Sequence, residues 1–305
     1  MGLSLRTNGE AVGTGVLCGK TVMFVFMKET IVKGVVPGML SGKVVWVTAS
    51  ARGLGRAMAE RLARCGASIA VHSRSDRTPA EFGEAPSTTH VLEDIKKMGA
   101  IATMVFADVS DPIQVRAAVE RIEADLGPID ILVNNAGGDI AAAGGRPKNN
   151  DALGISMEDI SAVFERNLMT TIHCCRAVVP GMIARGRGKI INIGSVAGFR
   201  GRVEGAIYAS SKAGQAHYTR CLAAQVREHN ITVNMVAPGG SLSSRFIATG
   251  QAKPELREAM GRPTLIRYAD PDEIACAVQF FASPLADFVS GQVLRVDGGA
   301  QLSPA

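Results

Sequence analysis

The sequence predicts an α/β fold, one domain built on a doubly wound parallel sheet with helices on both faces. Strand-like and helix-like patterns alternate from about residue 41 to the C-terminus, with no Pro/Ser-rich linker between them. The strands read as continuous apolar runs, the mark of strands covered on both faces, whereas a one-sided sheet alternates apolar with polar residues. A glycine-bearing turn joins the first of these strands to the first helix.

Gly42 to Thr48 is the first predicted strand, with Val44, Val45, Trp46 and Val47 in an unbroken run. The turn Ala49-Ser50-Ala51-Arg52-Gly53-Leu54-Gly55 follows, then a helix with Met58, Leu62 and Cys65 on one stripe, closed by Gly66. Ser68 to His72 is a second buried strand. Glycines at such a turn let the backbone approach a pyrophosphate, whose charge the helix N-terminus stabilises. The unit therefore reads as a dinucleotide-binding βαβ of Rossmann type. Further on, Val115, Val119, Ile122 and Leu126 mark one face of a helix ended by Gly127-Pro128. Ile131 to Val133 is a strand leading into Asn134-Asn135-Ala136-Gly137, and Ser156-x-x-Asp159 opens a helix that carries Asn167. Ile190 to Gly194 leads to Ser195, and Ile231 to Val236 leads to Pro238-Gly239. Asp270-Pro271-Asp272-Glu273 opens the last helix, with proline at a favourable first position. Gly291 to Leu294 runs into Val296-Asp297-Gly298-Gly299.

Tyr208 and Lys212 carry the chemistry. Residues at i and i+4 of a helix share a face one turn apart, so a phenol and an ammonium so placed can share a pocket. A free tyrosine titrates near ~10, and acid–base work near neutrality asks for a fall of roughly 1–3 units, each about 1.4 kcal/mol. The spacing leads to the expectation that Lys212 supplies much of that fall.

With these motifs in order, the chain resembles the short-chain dehydrogenase/reductase superfamily, most like its 3-oxoacyl-carrier-protein reductase members, from about Ser41 to Leu302. The resemblance implies NADP-dependent hydride transfer between a ketone and a secondary alcohol. Tyr208 would be the general acid, Lys212 would lower its pKa and bond the nicotinamide ribose, Ser195 would orient the substrate oxygen, and Asn167 would hold a water in the proton relay. One departure concerns the turn: the family's first glycine is here Ala49, whose methyl group crowds the backbone if φ is positive.

The resemblance and the charges together imply a cofactor site of Ser50, Arg52, Gly53, Leu54, Gly55, Ser73, Arg74, Asp108, Val109, Asn135, Ala136, Gly137, Tyr208, Lys212, Pro238, Gly239, Ser241 and Ser243. NAD-binding members carry an acid where Ser73 stands, whereas Arg74 and Arg52 suit a 2′-phosphate. At about 1.5–3 kcal/mol per charged hydrogen bond, two contacts favour NADPH over NADH by at most roughly 3–6 kcal/mol. After Pro238-Gly239, Ser243 keeps a hydroxyl for the nicotinamide amide, while Ser241 replaces the family's usual isoleucine. The default substrate is a 3-oxoacyl thioester; a sugar, polyol, cyclic ketone or steroid-like alcohol stays open. A non-catalytic NADP-binding sensor would show decay of the Asn167–Ser195–Tyr208–Lys212 set, and all four residues stand.

Composition fits these expectations. The net charge of +5 comes from scattered Lys and Arg with no basic stripe among aromatics, which argues against nucleic acid. Six cysteines without CxxC or zinc spacing suggest thiols in a reducing cytoplasm, and no metal site. By family expectation the protein is a homotetramer that pairs helices beyond Asn167 and around Tyr208–Arg227. Residues 1–40 read as an N-terminal extension of little fixed structure, the domain proper being 41–305. Val22 to Met27 is too short to span a bilayer, and no targeting signal is legible. A floppy arm, an added strand from Val22 to Met27 or Ile31 to Val36, and an upstream start ahead of Met39 remain open. Two stretches look long for the family, Asp76 to His90 and Gly138 to Ile155.

Overall fold

The computed structural model describes residues 12–17, 20–25, 34–248, 252–260 and 262–302, the first two segments by their backbone. Two compact units are present, Met1–Val35 and Val36–Ala305. In the first, β1 (Val12–Leu17) and β2 (Lys20–Val25) form an antiparallel hairpin with Val12 opposite Val25. The expected strand Val22 to Met27 thus overlaps β2, while residues 31–33 of the expected strand Ile31 to Val36 lie outside the described residues and residues 34–36 form no strand.

The second unit holds a seven-stranded parallel sheet in the order β5-β4-β3-β6-β7-β8-β9. Its strands are β3 (Val44–Val47), β4 (Ser68–Ser73), β5 (Ala102–Phe106), β6 (Ile131–Asn134), β7 (Gly188–Ile193), β8 (Ile231–Pro238) and β9 (Val293–Val296). The order reverses between β3 and β6, which opens a crevice at their carboxyl ends, the place where such folds take their ligands. One face is covered by α1 (Gly53–Arg64), α2 (Thr88–Lys97) and α9 (Pro271–Ala282). The other is covered by α3 (Pro112–Leu126), α5 (Thr170–Arg185) and α6 (Ala206–Val226), with α4 (Met157–Phe164) ahead of α5. Two short helices, α7 (Ser244–Ala248) and α8 (Pro254–Glu258), lie between β8 and α9.

The predicted apolar stripes form the core. Met58, Leu62 and Cys65 are fully buried on one side of the sheet, and Val115 and Ile122 on the other. Each such aliphatic side chain contributes about 1.5–3 kcal/mol relative to exposure. Caps set the helix ends where the sequence placed them. The Ser156 hydroxyl accepts from the Asp159 N–H at 3.1 Å, and Asp270 and Glu273 form a reciprocal capping box at α9. The unit begins before the expected boundary at 41. Leu40 is buried, and its N–H donates to the Cys65 carbonyl at 2.8 Å, tying the chain ahead of β3 to the end of α1.

Candidate active site

The dinucleotide turn leaves β3 through Ala49, which adopts φ +53°. The methyl group therefore does occupy the left-handed region that an L-residue enters at a cost of roughly 1–2 kcal/mol. A buried histidine holds it there. The Ala49 N–H donates to Nδ1 of His72 at 2.8 Å, and the opposite ring nitrogen, Nε2, lies 3.1 Å from the Ala107 carbonyl. The pairing fixes the neutral tautomer with the proton on Nε2. Burial pulls the His72 pKa down to about 4. Ser50 locks the same junction, its N–H donating to the His72 carbonyl and its hydroxyl accepting from the His72 N–H, both at 2.8 Å.

Beyond Ala49 the cradle is tight. A Cβ on Gly55 would stand 2.2 Å from the Ala49 carbonyl oxygen and 2.5 Å from Asn135 Nδ2, so only glycine fits. Asn135 Nδ2 donates to the Thr48 carbonyl at 3.0 Å, and the N–H groups of Asn135 and Ala136 donate to the Thr48 hydroxyl at 2.8 and 2.9 Å. These bonds fasten the ends of β3 and β6 across the crevice. No side chain of Arg52 caps α1, and its first turn, with Leu54, carries no acid. Its N-terminal field favours an anion, and the Gly53 N–H already donates to the Glu84 carboxylate at 2.6 Å; the close-packed cradle fits a dinucleotide's diphosphate.

The other expected cofactor residues are distributed around this crevice. Arg74 is exposed and lies near Asp108. Burial raises the Asp108 carboxyl, but the Ser110 hydrogen bonds and Arg74 outweigh that and hold it below its usual range. Val109 is buried beside it. The Ser73 hydroxyl is engaged inward, donating to the Ser75 carbonyl at 2.6 Å and meeting the Thr88 hydroxyl at 2.9 Å. Arg52 pairs with Glu81 at 3.0 Å and stacks over Phe82. Pro238 ends β8, and the Gly239 N–H donates to the Val296 carbonyl at 2.9 Å. Ser241 is buried, and its hydroxyl has no partner among the described residues. Ser243 instead caps α7, accepting from the Phe246 N–H at 3.3 Å, with its Cβ against Gly53.

The four catalytic candidates meet at the carboxyl ends of β6 and β7. Ser195 caps the 3₁₀ turn Val196–Phe199, accepts from the Ala197 N–H at 3.1 Å, and stands beside the Tyr208 phenol, whose pKa it pulls down. Gly198 in that turn lets it press on α6, since a Cβ there would lie 2.8 Å from the Ala213 nitrogen. Lys212 Nζ, 5.9 Å from the Tyr208 ring centroid, donates to the Ile193 carbonyl at 2.9 Å and to Gln215 Oε1 at 3.1 Å. Burial brings its pKa down to about 7. The expected lowering of the Tyr208 phenol by Lys212 is not what the geometry gives. Desolvation pushes the phenol up, the Ser195 hydrogen bond pulls it down, Asp139 pushes it up, and Arg245 and Arg202 pull it down, with a net rise. The lysine's hydrogen bonds go to a carbonyl and an amide oxygen.

Asn167 sits in a π-helical turn, Glu165–Met169, between α4 and α5. Its Oδ1 accepts from the Gly138 N–H at 2.9 Å, and its Nδ2 donates to the carbonyls of Gly138 and Val163 at 3.0 and 2.8 Å. The side chain thereby clamps the strand end after β6, and a Cβ on Gly137 would strike it at 2.6 Å. Sequence reasoning missed the two residues that join this asparagine to the lysine. Gln215 Nε2 donates to the Thr171 hydroxyl at 2.7 Å, which donates to the Asn167 carbonyl at 3.2 Å. It also missed Arg245, whose guanidinium packs on Gly137 and Gly138, with Nη1 2.5 Å from where a Gly138 Cβ would be. Gln215 follows Lys212 by three residues on the same helix face, a spacing the sequence did display.

Comparisons with known proteins point to one family. The sequence matches the family described as short chain dehydrogenase over residues 43–253. It is 38% identical over 277 residues to a cyclohexanol dehydrogenase of Rhodococcus sp. strain TK6, covering 87% of this chain and 98% of that one. It is 36% identical over 265 residues to a 3-oxoacyl-acyl-carrier-protein reductase of Vibrio cholerae, covering 85% of this chain and 98% of the relative. Among solved structures, a 7α-hydroxysteroid dehydrogenase complexed with NADH and 7-oxo glycochenodeoxycholic acid superposes with a TM-score of 0.73 at 32% identity, covering 85% of this chain and 94% of that one. The tyrosine–lysine helix, the serine beside it and the glycine cradle at the sheet's switch point thus belong to a member of the short-chain dehydrogenase family, an oxidoreductase of alcohols and ketones that uses a nicotinamide cofactor.

Proposed function

We propose that the protein is an NADP(H)-dependent reductase interconverting a ketone and a secondary alcohol, with a 3-oxoacyl thioester as the default substrate. The observation that carries the chemistry is the placement of Ser195 and the Tyr208 phenol side by side, next to the buried Lys212. The cofactor supplies or accepts a hydride when bound. Tyr208 donates the proton to the carbonyl oxygen in reduction, and Ser195 holds that oxygen through a second hydrogen bond. Lys212 lies within reach of neutrality at about 7 and can change its charge during the cycle. The Gln215–Thr171–Asn167 chain orients this lysine; because it passes through an amide, its role is positional. Asn167 fixes the Gly137–Gly138 backbone that lines the cleft. Arg74, exposed just after β4, and Arg52, just ahead of α1, support the preference for a 2′-phosphate.

A cyclic ketone is the second reading, favoured by the identity to the cyclohexanol dehydrogenase. The five free cysteines among the described residues fit a reducing cytoplasm, and no helix among those residues is long and apolar enough to cross a membrane. Exposed Leu285 and Phe288 after α9 support a homotetramer, which light scattering would report. Absorbance assays of 3-oxoacyl thioesters and cyclic ketones, with NADPH and NADH in parallel, test the assignment. NADPH is expected to be preferred, and Arg74→Asp to erode that preference about tenfold or more, since a phosphate partner becomes a like charge. Equal kcat/KM with both cofactors in the unaltered protein removes the NADP assignment.

A further inference from the structure

The stretch from Asp76 to His90 joins β4 to the first turn of α2 and reaches the N-terminus of α1. It forms a 3₁₀ turn over Thr78–Phe82 and then brings Glu84 to the glycine cradle. There the Glu84 carboxylate accepts from the Gly53 N–H at 2.6 Å. Its second oxygen accepts from the Ser244 hydroxyl of α7, so one side chain spans the helix N-terminus and the segment after β8. Two residues earlier in the stretch, the Phe82 ring sits 4.5 Å under the Arg52 guanidinium, whose Nη1 is bonded to Glu81 at 3.0 Å. Arg56 Nη1 also reaches the Glu84 carbonyl at 3.4 Å.

We propose that residues 78–84 are an intramolecular competitor for the dinucleotide's phosphates, with Glu84 standing in for the diphosphate and Glu81 for the 2′-phosphate. The inference rests on the proposed dinucleotide role of the Ala49–Gly55 turn. An amide at a helix N-terminus has its lone donor directed at one acceptor, and a carboxylate there uses the same field that attracts phosphate. A diphosphate that takes the Gly53 N–H must therefore displace Glu84, and the measured affinity is the intrinsic one reduced by the fraction of molecules with the cradle open. Release of Glu84 also removes the partner of Ser244, so cofactor entry frees α7 from the strap. The Glu81–Arg52 pair is half-exposed on its acidic side and therefore weak enough to exchange.

Dissociation constants of NADPH and NADH for the full chain, Glu84→Ala and Glu84→Gln test this by nucleotide fluorescence or calorimetry. Glu84→Ala is expected to tighten both cofactors by about tenfold, the factor that 1.4 kcal/mol represents. Glu84→Gln, which keeps a neutral acceptor, should move in the same direction by less. Affinities unchanged or weakened for both cofactors overturn the proposal. Amide exchange of the unaltered protein gives a test that needs no variant. Residues 79–87 should exchange faster with NADPH bound, whereas unchanged or slower exchange counts against displacement. If NADH binds the unaltered protein as tightly as NADPH, the NADP assignment fails while the Glu84 effect persists, because both cofactors carry the diphosphate.

Discussion

The two ends of the cleft are built from different interactions. At the Tyr208 end, Lys212, Gln215, Thr171 and Asn167 are buried and linked by hydrogen bonds that begin and end on backbone carbonyls or hydroxyls. At the phosphate end, Arg52 pairs with Glu81 and the Glu84 carboxylate accepts from the Gly53 N–H, charged contacts that keep access to water. Buried hydrogen bonds in a low-dielectric core are costly to break, and so they hold catalytic groups in one geometry. Exposed ion pairs are worth about 0–1 kcal/mol and exchange readily. The chemistry is thus held rigid where atoms must align, while the entrance is held by contacts that an incoming anion can replace.

The sharpest way to test the rigid end is Tyr208→Phe. The ring keeps its packing and only the hydroxyl leaves, so folding and cofactor binding should persist while kcat falls by about 10²–10⁴. A variant keeping more than about a tenth of the kcat would take Tyr208 out of its role.

His72 belongs to the phosphate end, where its ring supports the turn at Ala49 from inside the core. Its pKa falls from the ordinary 6.5 to about 4 on folding, principally through burial. The folded state therefore holds fewer protons than the unfolded one between these values. Stability from the neutral ring is complete above about 6.5 and is lost as pH drops toward about 4. The loss amounts to roughly 3 kcal/mol at about 1.36 kcal/mol per unit. Urea unfolding at pH 7 and pH 4.5 should show a smaller acid loss in His72→Leu than in the unaltered protein. Equal losses would mean that His72 titrates normally.

A smaller effect concerns the strain at Ala49. Glycine tolerates φ +53° without a Cβ clash, so Ala49→Gly should raise stability by about 0.5–1 kcal/mol, after allowing for the greater freedom of glycine in the unfolded chain. Thermal melts should rise by about 1–4 °C. A lowered midpoint would show that His72 and its neighbours have relieved the strain.

The smallest effect is expected from a chain beginning at Met39. It keeps Leu40 and every residue of the sheet in the second unit, so melting temperature and kcat/KM should change little. Aggregation or loss of most activity would instead give the first 38 residues a part in the fold.

Periodicity and turn chemistry made most of this fold legible. Val44–Val47 could only be a strand covered on both faces, and Ser156 and Asp270 had local reasons to open helices at their positions. Tyr208 and Lys212 were readable because helical spacing is a local property. What Lys212 does with its charge was not readable. Its partners, Ile193 and Gln215, are chosen by how β7 packs on α6, and that packing gives the ammonium a carbonyl and an amide oxygen to bond. The π turn at Asn167 was hidden for the same reason, since its sequence continues an ordinary helical pattern and the side chain's bonds to Gly138 come from another element. The sequence by itself determined where strands, helices and the glycine turn fall, because those depend on neighbours along the chain. Only the tertiary structure decided that His72 supports Ala49, that Arg245 lies on Gly138 and that Glu84 sits on Gly53. Each of those contacts joins residues 23 to 107 positions apart, and no local preference carries information over that distance.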